Sequence, residues 1–301
     1  MPGRTGPVTH RRGSTRRTVR RGDGQGRVGD VAEDLGYFGP GSVTWRVLAD
    51  PAASVGGITA LFLQALHPRA MAGVAEHSDF ATNFWPRLQR TAQYVTMVGF
   101  GTRAEVDAAA ARVRAVHQHV RGVDPVTGAP YAADDPDLLR WIHVSEVASL
   151  LDATRRGGLP LTDPEAERFL AEQVRAAELV GLHDVPTDRA AVAAYFEQVR
   201  PELRASPMAR RASLRLALPP LPLRIELTTP VRALWTTVAG LAFALLPRWA
   251  RRIYGLPGLP TTDLAATAML RGLRAGMLQL PDRWRHGPIV AGALARARAA
   301  S

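Results

Sequence analysis

The chain has 301 residues, of which 46% are hydrophobic, so it is long and apolar enough to bury a sizeable core and is not intrinsically disordered. Cysteine is absent, which excludes disulfides, thiolate-ligated haem, iron–sulfur clusters and cysteine-based zinc sites. All 38 basic residues are arginine, so catalysis by a lysine, as a Schiff base or as a general base, is excluded too.

An Arg-rich segment opens the chain. Residues 1–28 hold eight Arg and one Asp, and thus most of the net charge of +11. They contain no apolar run, which predicts a disordered tail, and no apolar stretch of the ~7–15 residues that an export signal requires follows the arginines. We therefore expect a cytoplasmic protein, with peripheral membrane contact as an alternative. Three interpretations of the tail stay open: an inert tail or a mis-assigned start, a tether to nucleic acid or anionic lipid, and a degenerate export signal.

The pattern of residues 29–285 predicts one helical domain. In chain order, the predicted helices are a short one capped by Ser42, then 58–74 divided at Pro68, 85–100, 103–121, 136–156, 163–180, 188–200, 231–253 and 261–280. Residues 206–230 are Pro-rich and predicted to be irregular, and residues 286–301 are predicted to be a C-terminal tail. Because strand-like alternation is scarce, the fold class is predicted to be all-α.

Local signals fix several of the predicted helix ends. Thr102 and Glu105 have the spacing of a capping box at the start of the helix that begins at Arg103. Gly157 and Gly158 are expected to end the helix that begins at Pro136. The apolar stretch 233–247 has fifteen residues, fewer than the ~20 that span a bilayer, and predicts a buried or interfacial helix.

Histidines on apolar helices are the most informative candidates for chemistry, since nucleotide-binding, metalloprotease and nucleophile-elbow motifs are absent from the sequence. His143 lies among Leu139, Ile142, Val147 and Leu150 at helical spacing. One interpretation is a core histidine bonded to a carbonyl. The other is a metal ligand, because a neutral imidazole in an apolar wall is the usual axial donor of haem iron.

A second candidate group is basic and lies in the helix predicted for residues 103–121. Arg114, His117 and Arg121 fall at i, i+3 and i+7 and thus on one helical face, and Arg112 lies nearby. These residues form either a solvated basic stripe or inward guanidiniums that could hold a carboxylate such as a haem propionate. His67 precedes small residues that would admit a flat ligand or simply a partner helix.

Several segments in a fixed order carry a family resemblance. They are 38–42 with 44–46, 63–68, 77–80, 87–91, 100–102, 113–117 through 122, and Trp141-Ile142-His143. Over roughly residues 30–280 the chain resembles the bacterial branch of the family that unites latex-clearing protein, a rubber oxygenase, with the MpaB-type oxygenase of mycophenolic acid biosynthesis.

The resemblance implies a globin-like, all-helical core that holds one non-covalent haem b through a single axial histidine. His143 falls at the position of the iron ligand, and His117 where the family keeps another histidine. Arg112 stands where rubber oxygenases place a lysine over the iron. Val113 replaces a threonine and Ala109 an arginine, which sets this chain apart from the rubber-cleaving members.

The resemblance thus leads us to expect an oxygenase that uses haem b and dioxygen on an apolar, unsaturated, isoprenoid-like substrate. The expected catalytic residues are Arg112 and Arg114, the expected metal ligand is His143, and the expected cofactor-binding residues are His143, His117, Arg114, His67 and Arg121. The alternatives are a non-catalytic haem carrier or sensor, and a haem-free helical interaction protein with a basic tether. The residues alone do not decide between His143 and His117 as the axial ligand.

Overall fold

The computed structural model describes residues 2–3, 34–78, 83–221, 224 and 229–301. The predicted Arg-rich tail therefore lies outside the described residues apart from Pro2 and Gly3, and Asp79 and Phe80 lie outside them as well. The described residues form fourteen α-helices and one two-stranded sheet, which confirms the all-α prediction.

The α-helices are α1 Val43–Leu48, α2 Pro51–Gln64, α3 Pro68–His77, α4 Phe84–Phe100, α5 Arg103–His117, α6 Pro136–Gly157, α7 Asp163–Leu179, α8 Arg189–Val199, α9 Pro207–Ala217, α10 Val231–Ala244, α11 Arg248–Ile253, α12 Pro260–Leu278, α13 Asp282–Arg285 and α14 Pro288–Ala299. A single 3₁₀ turn, Arg200–Glu202, follows α8. The strands are β1 Arg121–Val123 and β2 Pro130–Ala132, paired antiparallel with Gly122 opposite Tyr131.

Side-chain caps start the helices where the sequence predicts them. The Ser42 hydroxyl accepts a hydrogen bond from the backbone N–H of Trp45, and Thr102 and Glu105 cap α5 reciprocally. Gly158, with φ 96°, ends α6 in the left-handed conformation that glycine adopts without strain. Each of these caps satisfies backbone groups that would otherwise lack partners at a helix end.

The core is organised around α6, which packs mainly against α2 and also against α1, α7 and α12. Trp141 of α6 is fully buried, and its indole N–H donates to the carbonyl of Gln64 at 3.1 Å. Close approach of the two helices depends on Gly56 of α2. A Cβ at that position would lie 2.8 Å from the Ser149 carbonyl oxygen of α6.

Gly56→Ala is expected to destabilise the protein by about 1–3 kcal/mol, because backbone atoms of α6 would have to move, and overpacking outweighs the gain in helix propensity of about 1 kcal/mol. The matched control is Gly57→Ala, where an added Cβ meets no atom within 4 Å. The control should be neutral or slightly stabilising. Urea unfolding followed by circular dichroism measures both variants, and an equal effect of the two would contradict this packing.

A β-hairpin takes the place of the last turn of the helix that was predicted to reach Arg121. α5 stops at His117, and β1 and β2 enclose a turn organised by the buried Asp124. The Asp124 carboxylate accepts hydrogen bonds from the backbone N–H groups of Val126 and Thr127. This side chain offers the backbone an alternative to the helix, as Asp does in turns.

Two segments predicted to be irregular contain helices. The prediction for 206–230 is wrong for Pro207–Ala217, because Ser206 caps α9, and Ala209 and Leu216 are buried. Residues 286–301, predicted to be a tail, contain α14. Val290 and Ala293 of α14 pack against Trp45 and Phe100, and a single sequence pattern does not reveal such contacts.

The apolar stretch 233–247 ends α10 and leads into α11 through Pro247. Ala239, Leu241 and Ala242 of α10 are buried, as are Leu245 and Leu246 after it. Within the part of the chain that the structure describes, no helix is both long enough and apolar enough to cross a membrane.

Candidate functional site

The candidate site residues are polar side chains carried by α4, α5 and α6. α4 packs against α1, α5 and α14, and α5 packs against α4 and α7, so neither of them is a main packing partner of α6. One face of α6 packs against α2 in the core. A different face carries His143 and Glu146, which are three residues apart and therefore neighbours on the helix surface.

His143 is suited to act as a ligand. Its side chain is partly exposed, and its ring makes no hydrogen bond or ion pair within the described chain. Burial alone lowers its pKa from 6.5 to about 4. The imidazole is therefore neutral at physiological pH, which is the form that binds a metal.

Glu146 lies one turn further along α6. Burial raises its pKa from 4.5 to about 7, and it forms no ion pair among the described side chains. An isolated carboxylate is costly to bury, so near neutral pH this group exchanges between the protonated and ionised forms. Glu146 can therefore both donate and accept a hydrogen bond there.

Tyr94 of α4 lies within electrostatic range of Glu146. The pKa of Tyr94 is raised to about 12, first by burial and then by the charge of Glu146, while Arg114 opposes the increase. Its hydroxyl oxygen is buried and has no hydrogen-bond partner in the described chain. The ring packs against a cluster of apolar side chains that includes Val98, Val106 and Leu179, so the hydroxyl is the polar end of an apolar wall.

α5 supplies the remaining polar groups. The Arg114 guanidinium donates to the carbonyl of Leu179 at the end of α7. The Nδ1 atom of His117 is buried without a partner, and burial lowers the pKa of this histidine, assisted by Arg87 and opposed by Asp134. Two unpartnered polar atoms, on Tyr94 and His117, thus lie on the sides of α4 and α5 that meet here.

Three predicted site residues lie apart from this group. Arg112 is exposed, because it stands two residues, or about 200°, round α5 from the fully buried Ala110. Arg121 belongs to β1 and forms an exposed ion pair with Asp134 at 2.8 Å. Arg114 is also exposed, but it lies near enough to Tyr94 to affect the pKa of that residue. No hydrogen bond or ion pair within the described residues joins His143 to His117, Arg114, Arg112 or Arg121.

His67 is buried at the N-terminus of α3. Its Nε2 atom lies 3.6 Å from a Glu202 carboxylate oxygen, its Nδ1 atom has no partner, and its ring centroid is 6.0 Å from that of Trp141. Burial, followed by the charge of Arg69, lowers its pKa to about 4. No contact in the described chain joins His67 to His143 or Tyr94.

The sequence predictions missed Tyr94 and Glu146. The signal for Glu146 was its position three residues after His143 on a helix whose other residues nearby are mostly apolar. Tyr94 had a weaker signal, the polar spacing of Arg87, Thr91 and Tyr94 along one side of α4. Relating them required the tertiary structure, because they lie on different helices.

A half-open cavity of about 370 Å³ is lined in part by the C-terminal half of α6. Leu63 and Phe196 line its apolar part, and Asp152 and Arg156 lie at 3.3 Å in a mutual ion pair. Its charged groups thus satisfy one another, and none of the predicted site residues lines it.

His143 offers one neutral and partly exposed imidazole, which is the form of histidine that binds a metal. Among the described residues, no three His, Asp or Glu side chains come together as a ligand set for a bare metal ion. A porphyrin iron needs only one protein ligand, so it can be held by a single histidine.

The pH dependence of stability is expected to report on Glu146. Between the ordinary Glu value near 4.3 and about 7, the folded protein holds a proton that the unfolded chain releases, so the free energy of unfolding falls as pH rises through this window. Glu146→Gln cannot ionise and should lack this loss, which amounts to on the order of 2–3 kcal/mol.

Urea unfolding from about pH 5 to about pH 8 measures the difference between wild type and Glu146→Gln, in which the histidine contributions cancel. A control variant, Glu197→Gln, alters a carboxylate that is 67% exposed. If the wild-type and Glu146→Gln curves stay parallel across this range, the carboxyl group is not desolvated as described.

Comparison with known proteins gives one family. A family model described as ER-bound oxygenase mpaB/B'/Rubber oxygenase, catalytic domain, matches residues 45–277, which extend from α1 to near the end of α12. No curated protein and no solved structure matches the chain.

Proposed function

The chain belongs to the family of MpaB-type and rubber oxygenase catalytic domains, and we propose that it is an oxygenase that holds one non-covalent haem b through His143. The observation that carries this proposal is the state of that histidine. Its imidazole is neutral, desolvated and still partly exposed, and its ring nitrogens make no hydrogen bond or ion pair with the described residues.

The surrounding residues fit a haem. The walls on α4 and α5 are apolar apart from a few polar atoms, and two of those atoms, the Tyr94 hydroxyl and His117 Nδ1, have no partner within the described residues. Unsatisfied buried polar atoms are costly, which supports an occupant that contacts them. Haem sites in proteins combine such an apolar shell with one or two axial ligands.

Each residue has a proposed role. His143 donates its neutral imidazole to the iron, and Arg114, whose guanidinium lies near Tyr94, stabilises a carboxylate of the bound group. His117 stands as the alternative axial ligand. When bound, the haem supplies activation of dioxygen, while the apolar walls exclude water and orient the substrate.

We propose an apolar, unsaturated, isoprenoid-like substrate. The support is the family, which includes rubber oxygenases, and the apolar cluster against which Tyr94 packs. Arg112 is not part of this proposal, because Arg114 and not Arg112 affects the pKa of Tyr94 and donates to the Leu179 carbonyl.

The test is the absorption spectrum of the full chain expressed with a haem precursor. A Soret band near ~400–420 nm, with haem that organic solvent extracts, is expected for a non-covalent histidine-ligated haem b. Oxygen consumption with an unsaturated isoprenoid should follow. Absence of the band while the helical circular dichroism is intact would overturn the haem proposal. A band without turnover would indicate a carrier or sensor.

A further inference from the structure

The half-open cavity of about 370 Å³ beside α6 is also bounded by α2, α8, α11 and α12 and by the segment that joins α10 to α11. Its volume falls within the range of about 300–1,000 Å³ that is typical of small-molecule sites. Half of its lining residues are apolar, namely Leu63, Ala148, Phe196, Leu245, Leu246 and Pro247. The cavity therefore offers an apolar molecule the kind of surface that binding pockets present.

The apolar part of the cavity is held in place by its neighbours. The Phe196 ring lies against Trp141 and Trp249, with centroid distances of 6.2 and 5.6 Å. The Thr59 hydroxyl, which also lines the cavity, donates to the Ala242 carbonyl at 2.9 Å and so joins α2 to the end of α10. Because these contacts already fix the side chains, binding of a ligand costs little conformational freedom.

The charged groups that line the cavity are paired with one another. Arg156 forms an ion pair with the Asp152 carboxylate at 3.3 Å. It also donates to the Thr267 hydroxyl and to the Asp263 carbonyl, each at 3.0 Å. Arg248 forms an ion pair with the Asp263 carboxylate. A charged ligand would have to compete with these pairs, so the lining favours an uncharged one.

Ser149 of α6 lines the cavity and makes no side-chain hydrogen bond within the described residues. It is only 6% exposed. Two other hydroxyl groups of the same helix behave differently, because Ser145 and Thr154 donate to the backbone carbonyls four residues earlier. Ser149 does not use this usual internal partner, and its hydroxyl group is therefore available to a ligand.

Asp152 supplies an acceptor beside this donor. It follows Ser149 by three residues and is thus its neighbour on the surface of α6. One carboxylate oxygen of Asp152 pairs with Arg156, and the other makes no hydrogen bond within the part of the chain that the structure describes. A ligand hydroxyl group can donate to this free oxygen and accept from Ser149 at the same time.

The cavity is separate from the candidate site around His143. Asp152 follows His143 by nine residues, which is about two and a half turns of α6, so the two side chains leave the helix on opposite sides. Neither His143 nor Glu146, Tyr94 or His117 lines the cavity. A molecule bound there would not occupy the position proposed for the haem.

We propose that this cavity is a second binding site, which takes an uncharged alcohol or phenol with an apolar body. The body packs against the apolar lining around Phe196. The hydroxyl group lies between Ser149 and Asp152, accepting a hydrogen bond from the first and donating one to the second. This inference goes beyond the proposed function and does not depend on it, because the cavity does not require haem.

Calorimetry on the full chain tests this site with 4-pentylphenol and with its methyl ether, 4-pentylanisole, which has the same apolar body but no hydroxyl proton. Wild type should bind the phenol roughly 5–10-fold more tightly, the effect of one hydrogen bond, because the ether cannot donate to Asp152. Ser149→Ala should weaken binding of the phenol by a similar factor. Ser145→Ala, the matched control, removes a hydroxyl group that bonds within α6 and should leave the affinity unchanged.

A variant that fills the cavity checks the location. Ala148→Phe places a large side chain in the lining and should abolish binding of the phenol. Ala171→Phe makes the same change at an exposed position of α7 and should bind as wild type does. Far-UV circular dichroism verifies that each variant is folded, and Ser149→Ala decides alone if Ala148→Phe is not. No binding to wild type, binding that persists in folded Ala148→Phe, or an unchanged affinity in Ser149→Ala would overturn the inference.

The same titration on His143→Ala separates this inference from the proposed function. Binding of the phenol should be unaffected in that variant, and equal in wild type with and without haem. Loss of binding in His143→Ala would place the phenol at the haem site and overturn only the inference. Binding of the phenol to a wild-type protein that shows no Soret band would support the inference and overturn only the haem proposal.

Discussion

His143→Ala is expected to abolish the Soret band and to lower the haem content of the purified protein at least about tenfold, because it removes the single proposed bond between protein and iron. The fold should survive. His143 is only partly buried, forms no hydrogen bond, and alanine favours the helical conformation. The far-UV circular dichroism of the variant should therefore match that of wild type.

His117→Ala is the decisive comparison. In His117 the Nδ1 atom is already buried, and the residue lies close enough to Asp134 and Arg87 for both to affect its pKa. We expect this variant to keep the band with at most a shift, and His183→Ala, which alters an exposed residue, to keep it unchanged. Added imidazole should restore a Soret band to His143→Ala by occupying the vacated position. Loss of the band in His117→Ala, with its retention in His143→Ala, would show that the iron ligand is His117 of α5.

Helix starts and stops were predictable because their causes are local. The Ser42 cap, the pair Thr102 and Glu105, and the left-handed Gly158 all act within a few residues of their own helix end. The helices that depend on such signals accordingly begin or end where the sequence indicates.

Elements that depend on distant contacts were not predictable. α14 is held by burial of Val290 and Ala293 against Trp45 and Phe100, which come from the first half of the chain. The hairpin of β1 and β2 replaces the end of a predicted helix, because Asp124 is buried and organises the turn. A single sequence does not show which of its apolar residues will meet.

The same distinction applies to the site. His143 was identifiable because its apolar neighbours lie on its own helix, whereas Tyr94 and Glu146 act on each other across two helices. Arg112 was placed by resemblance over the iron, but burial of Val106 and Ala110 turns it to the exposed side of α5. The motif placed Arg112 on the correct helix, but tertiary packing determines the direction in which its side chain points.

The stability of the helix that carries His143 depends on Trp141. This indole is fully buried, its N–H donates to the Gln64 carbonyl at 3.1 Å, and its centroid lies 6.2 Å from the Phe196 ring. Trp141→Ala is expected to lower the free energy of unfolding by about 3–5 kcal/mol, since it removes a large buried side chain and leaves a cavity. It also removes one of the two hydrogen bonds that the Gln64 carbonyl accepts, the other coming from the backbone N–H of His67.

Urea unfolding measures this effect as a lower midpoint with an unchanged slope. Trp284→Ala removes the same side chain where it is 71% exposed, and should change stability by less than about 0.5 kcal/mol. Trp141→Phe should fall between the two, because phenylalanine keeps part of the buried packing but loses the second ring of the indole and the hydrogen bond. If Trp141→Ala matched Trp284→Ala, α6 would not be anchored in the core as described. His143 and Glu146 would then lack the rigid support that a preorganised binding site requires.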